Sequence, residues 1–127
     1  MFVIDTHILI WMHLAPEKIS GPAIKAISET DFLVVPSISL WEISMLVNHH
    51  RLELPCPLID WLKTICAQPK IKLQEITPEI AALSGELDDM RGDPADRLIA
   101  ATAKALNLPL ISADHRIRNL SWLVNIW

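Results

Sequence analysis

The sequence contains little glycine, little cysteine and no long apolar run, and each scarcity excludes a class of protein. Only three glycines are present, and none follows the first predicted strand, so the glycine-rich turn of nucleotide-binding oxidoreductases is missing. The two cysteines, Cys56 and Cys66, match no metal-binding spacing and provide no disulfide framework. No apolar run approaches the ~18 to 20 residues that cross a bilayer, so we expect no membrane association.

A targeting signal and an excess of basic residues are also missing. The N-terminal segment has no basic region ahead of an apolar stretch, so we expect no signal peptide and a cytoplasmic location. The 127 residues, of which 51% are hydrophobic, predict a single domain over residues 1–127 with a packed core. The formal net charge of −4 is not typical of a nucleic-acid-binding protein.

The charge is nevertheless distributed unevenly along the chain. Residues 1–90 hold twelve acids and six bases, whereas residues 91–127 hold five bases and three acids. If a cation neutralised two of those three acids, the C-terminal third would form a positive surface that suits an anionic substrate. Arg91, Arg97 and Arg116 are then the candidate substrate-binding residues. An ordinary charge asymmetry explains the distribution equally well.

Short apolar segments alternate with longer amphipathic ones. This alternation predicts a central parallel sheet covered on both faces, a three-layer α/β/α sandwich of the Rossmann-like kind. We expect Ser20 to cap a helix that turns Ile24 and Ile27 inward, and Ser39 to cap another. The predicted strands are 2–4, 32–35, 71–76, 110–112 and 123–126, and the predicted helices are 7–14, 21–29, 39–48 and 57–68, with two more beginning at 78 and 94.

Two acids follow predicted strands directly. Asp5 comes after the first strand and Asp114 follows the strand at 110–112. Ligand sites in parallel sheets lie outside the carboxyl ends of the strands, so both carboxylates are expected at one edge. The neighbouring hydroxyls of Thr6 and Ser112 are accessory candidates, able to hold a water or a carboxylate oxygen. A helix or turn cap is an equally good interpretation of each.

Glu42 lies in a predicted helix that is apolar almost all round. A charged side chain there is costly unless it is paired or binds a metal. The alternative is a glutamate at the edge of the apolar arc, or one paired with a distant arginine.

The segment Asp93-Pro94-Ala95-Asp96 reads as a helix start. Asp93 suits the N-cap and Pro94 the first helical position. Asp96 also suits the positive end of the helix dipole, but that effect is worth well under ~1 kcal/mol and explains the residue only in part. An acid in this first turn can project into a cleft at the strand ends.

Asp5, Glu42, Asp96 and Asp114 together indicate a site for a hard divalent cation. Mg²⁺ or Mn²⁺ binds through a few carboxylates, keeps several waters and also binds substrate phosphates. Such an ion activates water for phosphodiester hydrolysis, so the same four residues are the catalytic candidates. A phosphotransfer enzyme with Asp5 as nucleophile would want a second aspartate at position 7, which is histidine.

Four stretches in order, Val3–Trp11, Ser37–Leu46, Gly92–Ala103 and Leu110–Asp114, resemble the PIN domain family and, within it, the VapC-type toxins of toxin–antitoxin pairs. The resemblance spans essentially the whole chain. It implies a PIN-like fold and metal-dependent RNA cleavage, with Asp5, Glu42, Asp96 and Asp114 as the acidic quartet and Asp93 as an additional acid. It also implies a homodimer, an antitoxin partner and a structured tRNA or rRNA substrate.

The chain departs from this pattern at Arg91, where relatives with the same motif commonly have histidine. The departure concerns substrate preference, because no metal ligand is lost. Two alternatives share the fold: a PIN-type nuclease of housekeeping RNA processing, and an inert module that binds RNA or protein. A missing acid would favour the inert module, and none is missing.

Overall fold

A computed structural model describes residues 1–87 and 93–127 of the chain. These residues form a five-stranded parallel sheet with helices between the strands. The strands are β1 (Phe2–Ile4), β2 (Leu33–Pro36), β3 (Ile71–Gln74), β4 (Leu110–Ile111) and β5 (Asn125–Ile126). The helices are α1 (Thr6–Leu14), α2 (Gly21–Glu29), α3 (Ile38–Asn48), α4 (Leu58–Cys66), α5 (Pro78–Glu86), α6 (Pro94–Leu106) and α7 (His115–Arg118), and a 3₁₀ turn at Pro16–Lys18 follows α1.

The sheet separates two apolar layers. Successive strand residues point to opposite faces, so Ile4 packs in one layer and its neighbour Val3 in the other. Leu33 and Val35 likewise face the first layer, while Val34 faces the second. The first layer receives side chains from α1 to α4, and the second receives them from α5, α6 and α7. This arrangement confirms the predicted three-layer α/β/α sandwich.

The strand order is β3-β2-β1-β4-β5, so the central strand β1 pairs with β2 on one side and β4 on the other. The chain first builds the sheet outward from β1 and then returns to add β4 on its free side. A crevice opens beyond the carboxyl ends of the strands where the order reverses. Asp5 follows β1 and Asp114 follows β4, so this topology brings both to the crevice.

Two of the expected helix details are wrong. Ser39 does not cap α3, because the helix already begins at Ile38 and the Ser39 side chain is fully buried. Ile24 does not face the core and is 47% exposed, because the inward stripe of α2 runs through Ala23, Ala26 and Ile27 instead. Small alanines at i and i+3 let this short helix approach the core closely, and hydrophobicity alone pointed to the larger residue.

Within the two described ranges, no helix combines the length and the apolar character that spanning a membrane would require.

Candidate active site

Ser112 connects the two acids that follow β1 and β4. Its buried hydroxyl donates a 2.7 Å hydrogen bond to Oδ2 of Asp5 and accepts one of 3.1 Å from the backbone N–H of Asp114. Asp5 is only 4% exposed, and Asp114 begins α7 by accepting a hydrogen bond from the Arg116 N–H at 2.8 Å. Both carboxylates are therefore held in place from the strand ends.

Thr6 does the same for Glu42. The Thr6 hydroxyl donates to Oε1 of Glu42 at 2.6 Å, and its oxygen lies 2.8 Å from the buried hydroxyl of Ser39. Ser39 and Glu42 are three residues apart on α3, hence on one face of the helix. This spacing was the sequence signal for Ser39, which the expected N-cap role concealed.

Asp93 is both the N-cap of a helix and a member of the acidic group. Its Oδ1 accepts the Ala95 N–H at 2.9 Å, so it is the N-cap of α6, as the sequence predicts. A ligand oxygen of Asp93 also lies with oxygens of Glu42 and Asp96 in a group whose members are all within 4.8 Å of one another. The described residues thus bring Asp93 into the tightest part of the acidic group.

Mutual repulsion and burial make the negative charge at this site costly. Burial, and after it the charges of Asp93, Asp5, Asp114 and Glu42, together raise the pKa of Asp96 to about 7. Burial also raises the pKa of Asp5 and of Glu42, opposed by the hydrogen bonds from Ser112 and Thr6 respectively. These shifts show that the four predicted acids and Asp93 influence one another across a common space, which we call the acidic cluster.

Arg116 lies at the exposed rim of the acidic cluster. Its guanidinium is 3.4 Å from Oδ2 of Asp96 and 3.7 Å from Oδ1 of Asp114, while its side chain is 60% exposed. Solvent screens so exposed an ion pair, which is why it does not restore the ordinary pKa of Asp96. The arginine can swing outward at little cost.

Arg97, another of the arginine candidates, makes its contacts outside the acidic cluster. Arg97 donates to the carbonyl oxygens of Ser84 and Gly85 at 3.1 and 3.2 Å, near the C-terminal end of α5. This arrangement satisfies unpaired helix carbonyls and joins α6 to α5, and it offers no support for a role on Asp96 or on a phosphate. Arg91 lies outside the described residues.

Comparison with known proteins agrees with the fold. A family model described as the PIN domain matches residues 2–123. The chain is 35% identical over 118 residues to a protein named Ribonuclease VapC22 from Mycobacterium tuberculosis. The matched region covers 92% of this chain and 89% of that protein.

Two solved structures illustrate the same fold. VapBC2 from Rickettsia felis, bound to a promoter DNA fragment, matches with a TM-score of 0.69 and 14% identity over 99% of this chain and 98% of that one. A toxin–antitoxin complex from Klebsiella pneumoniae matches with a TM-score of 0.67 and 19% identity, over 98% and 96% of the two chains. At such identities the likeness concerns the fold.

Proposed function

The chain belongs to the PIN domain family, and from this premise we propose that it is an endoribonuclease that hydrolyses RNA phosphodiester bonds as the toxin of a toxin–antitoxin pair. The observation that carries the proposal is the convergence of Asp5, Glu42, Asp96 and Asp114, from four separate segments, on one crevice. A 35% identical relative named as a ribonuclease supports the same activity.

The residues of the acidic cluster fit a divalent cation. Their carboxylate oxygens are the ligands that Mg²⁺ and Mn²⁺ prefer, and burial together with the neighbouring carboxylates raises the pKa of Asp96. We assign Asp5, Glu42, Asp96 and Asp114 as the residues that hold the ion, with Asp93 as an accessory ligand. When bound, such an ion lowers the pKa of a water and stabilises charge on the phosphate oxygens.

The protein's own groups have three tasks in this reaction. Ser112 and Thr6 keep the oxygens of Asp5 and Glu42 aimed into the cluster, so that little reorganisation is needed when substrate arrives. Asp96, whose pKa burial raises to about 7, holds a proton part of the time in the metal-free protein, and a cation held there would favour its charged form. Arg116 turns from Asp96 and Asp114 to a substrate phosphate, since its exposed side chain needs little energy to move.

The substrate and the partners follow from the family. We assign a structured tRNA or rRNA as the substrate and a cognate antitoxin as the inhibitor, both acting in the cytoplasm. Toxin–antitoxin complexes among the structural neighbours support the antitoxin. The test is to purify this chain together with the product of a small adjacent reading frame. We expect the two proteins to copurify and this chain to lose its ribonuclease activity in the complex.

A homodimer is proposed through α3. Ile43 is the buried apolar residue of this helix, whereas Trp41 is 52% exposed and Leu40 and Met45 are half-buried. Such a surface is typical of a subunit interface. Sedimentation should show a dimer that Trp41→Glu dissociates, while Val124→Glu, at an apolar residue 66% exposed elsewhere, leaves it intact. A wild-type monomer at tens of micromolar would contradict the dimer.

The activity itself is tested with purified protein and a panel of RNAs. We expect cleavage with Mg²⁺ or Mn²⁺, none in excess EDTA, and recovery when the metal is restored. Asp114→Asn should lose the activity, whereas Asp31→Asn, at an exposed acid outside the cluster, should keep it. Undiminished cleavage in EDTA, or an active Asp114→Asn protein, would overturn the assignment.

A further inference from the structure

A cavity of about 210 Å³ adjoins the acidic cluster on the side of α1. Its lining comprises Asp5, His7, Trp11, Ala113 and Asp114. We propose that this cavity, here called the aromatic pocket, holds an unpaired nucleobase next to the cleaved phosphodiester, stacked on Trp11 and His7. The proposal rests on the ribonuclease function for one point only, the location of the phosphate at the acids.

The two rings that line the pocket lie close to each other. They belong to one helix, four residues apart, so they lie on one face of α1. Their centroids are 5.9 Å apart with planes inclined at 58°. Trp11 also contacts the ring of Trp127 at the same centroid distance, and it is half-buried while His7 is exposed. A supported, partly open indole loses little entropy on binding a flat ligand.

The chemistry of the lining selects a base rather than a phosphate. Two carboxylates on one wall repel an anion, so a phosphate has no place there except at a bound cation. An uncharged planar heterocycle meets no such penalty and stacks on indole and imidazole, the usual way in which proteins hold the splayed bases of single-stranded RNA. Lys18, whose Nζ is 6.0 Å from the Trp11 centroid, adds a positive charge at the rim for a neighbouring phosphate.

A second tryptophan provides a matched control. Trp122 is also half-buried and has Lys104 Nζ 4.7 Å from its centroid, but it lines a different cavity, formed with Asn107 and Pro109, that includes no acid. The two tryptophans thus share burial and a lysine partner and differ in their proximity to the acidic cluster. Of these two tryptophans, only Trp11 should contribute to RNA binding.

The test measures binding of a short labelled oligoadenylate and of its fully abasic ribose-phosphate counterpart, by fluorescence polarisation with Ca²⁺ as the cation. Trp11→Leu should weaken binding of the oligoadenylate about tenfold, as loss of one stacked base predicts, and leave binding of the abasic strand unchanged. Trp11→Phe should retain most of the affinity because it keeps a ring. Trp122→Leu should change neither strand.

Equal losses on both strands, or none on either, would overturn the proposal, and the second result would favour a protein partner for the pocket. If Trp11→Leu fails to fold, binding of the oligoadenylate and of the abasic strand is compared for His7→Ala instead, a substitution at an exposed residue. The proposed function is tested separately, by whether wild-type protein cleaves RNA with Mg²⁺. A protein that binds bases through Trp11 without cleaving RNA would keep the pocket and lose the nuclease assignment.

Discussion

The first turns of α4 and α6 contain the same residue at the same place in very different surroundings. Asp60 is the third residue of α4 and Asp96 is the third residue of α6, where the helix dipole favours an acid equally in both. Asp60 is exposed to solvent. Asp96 is 8% exposed, has a pKa of about 7, and lies among four other carboxylates. Local sequence gives the two residues one explanation, and tertiary structure separates them.

This difference shows what folding adds to a favourable local position. An acid at an ordinary helix start faces water, and its interaction with the helix dipole stabilises the helix by a few tenths of a kcal/mol. At Asp96 the fold instead places the carboxylate against other acids and raises its pKa, a cost of roughly a few kcal/mol in the metal-free protein. Under the proposed function, a bound cation would offset this cost.

The largest difference between the two aspartates should appear in catalysis. Asp96→Asn should lower RNA cleavage on the order of a hundredfold or more, because a metal ligand is lost, whereas Asp60→Asn should cleave at the wild-type rate. Single-turnover rates at saturating Mn²⁺ measure the effect. Near-normal cleavage by Asp96→Asn would return this residue to the status of a helix-start acid.

A smaller effect is expected from Ser112, which supports the cluster without belonging to it. Ser112→Ala removes the 2.7 Å hydrogen bond to Asp5 and should weaken metal affinity by about 10- to 100-fold. Ser121→Ala, at an exposed serine of the same C-terminal region, is the control and should bind metal normally. Titration calorimetry with Mn²⁺ compares the two. Equal affinities would mean that Asp5 needs no support from Ser112.

The next difference between Asp96 and Asp60 should appear in the pH dependence of stability. Between about pH 4 and about pH 7 the folded metal-free protein holds a proton on Asp96 that the unfolded chain has released. The free energy of unfolding should therefore fall as the pH rises through this window and level off above it. Asp5 and Glu42 act in the same direction because burial raises the pKa of each.

Urea unfolding in EDTA at about pH 5 and about pH 8 measures this slope. Asp96→Asn should flatten it in part, by removing one of the contributing groups, and Asp60→Asn should leave it as in the wild type. A wild-type protein whose stability rises across the same interval would contradict the raised pKa of Asp96.

Much of the fold could be predicted from the sequence. The strands that flank Asp5 and Asp114 are short apolar runs, and the helices at Ser20, Thr77 and Asp93 begin with a capping residue and a proline, so local chemistry determines them. The ends of the later strands were less certain. Residues 123–126 were expected in β5 and only Asn125–Ile126 pair, because strand length depends on the partner strand.

The sequence predicted which acids lie near one another, and it was less informative about what each side chain contacts. Asp5 and Asp114 were predicted from their positions at strand ends, whereas the local pattern explained Asp93 only as a cap and the family resemblance alone placed it with the other acids. Arg97, which directly follows Asp96, was a candidate substrate-binding residue of the basic C-terminal third. Adjacent residues on a helix point about a quarter of a turn apart, and the guanidinium reaches α5 instead. Ser39 and the aromatic pocket required the tertiary arrangement of α1 and α3.

The central claim, that Asp96 helps to hold a cation together with the other acids, is tested most directly by melting curves with and without Mn²⁺ for wild type, Asp96→Asn and Asp60→Asn. A ligand that binds only the folded state raises its melting temperature. We predict a large rise for wild type and Asp60→Asn and little or none for Asp96→Asn, whose metal-free form should melt at or above the wild-type temperature because one repelling charge is gone. Equal protection of all three proteins by Mn²⁺ would contradict the claim.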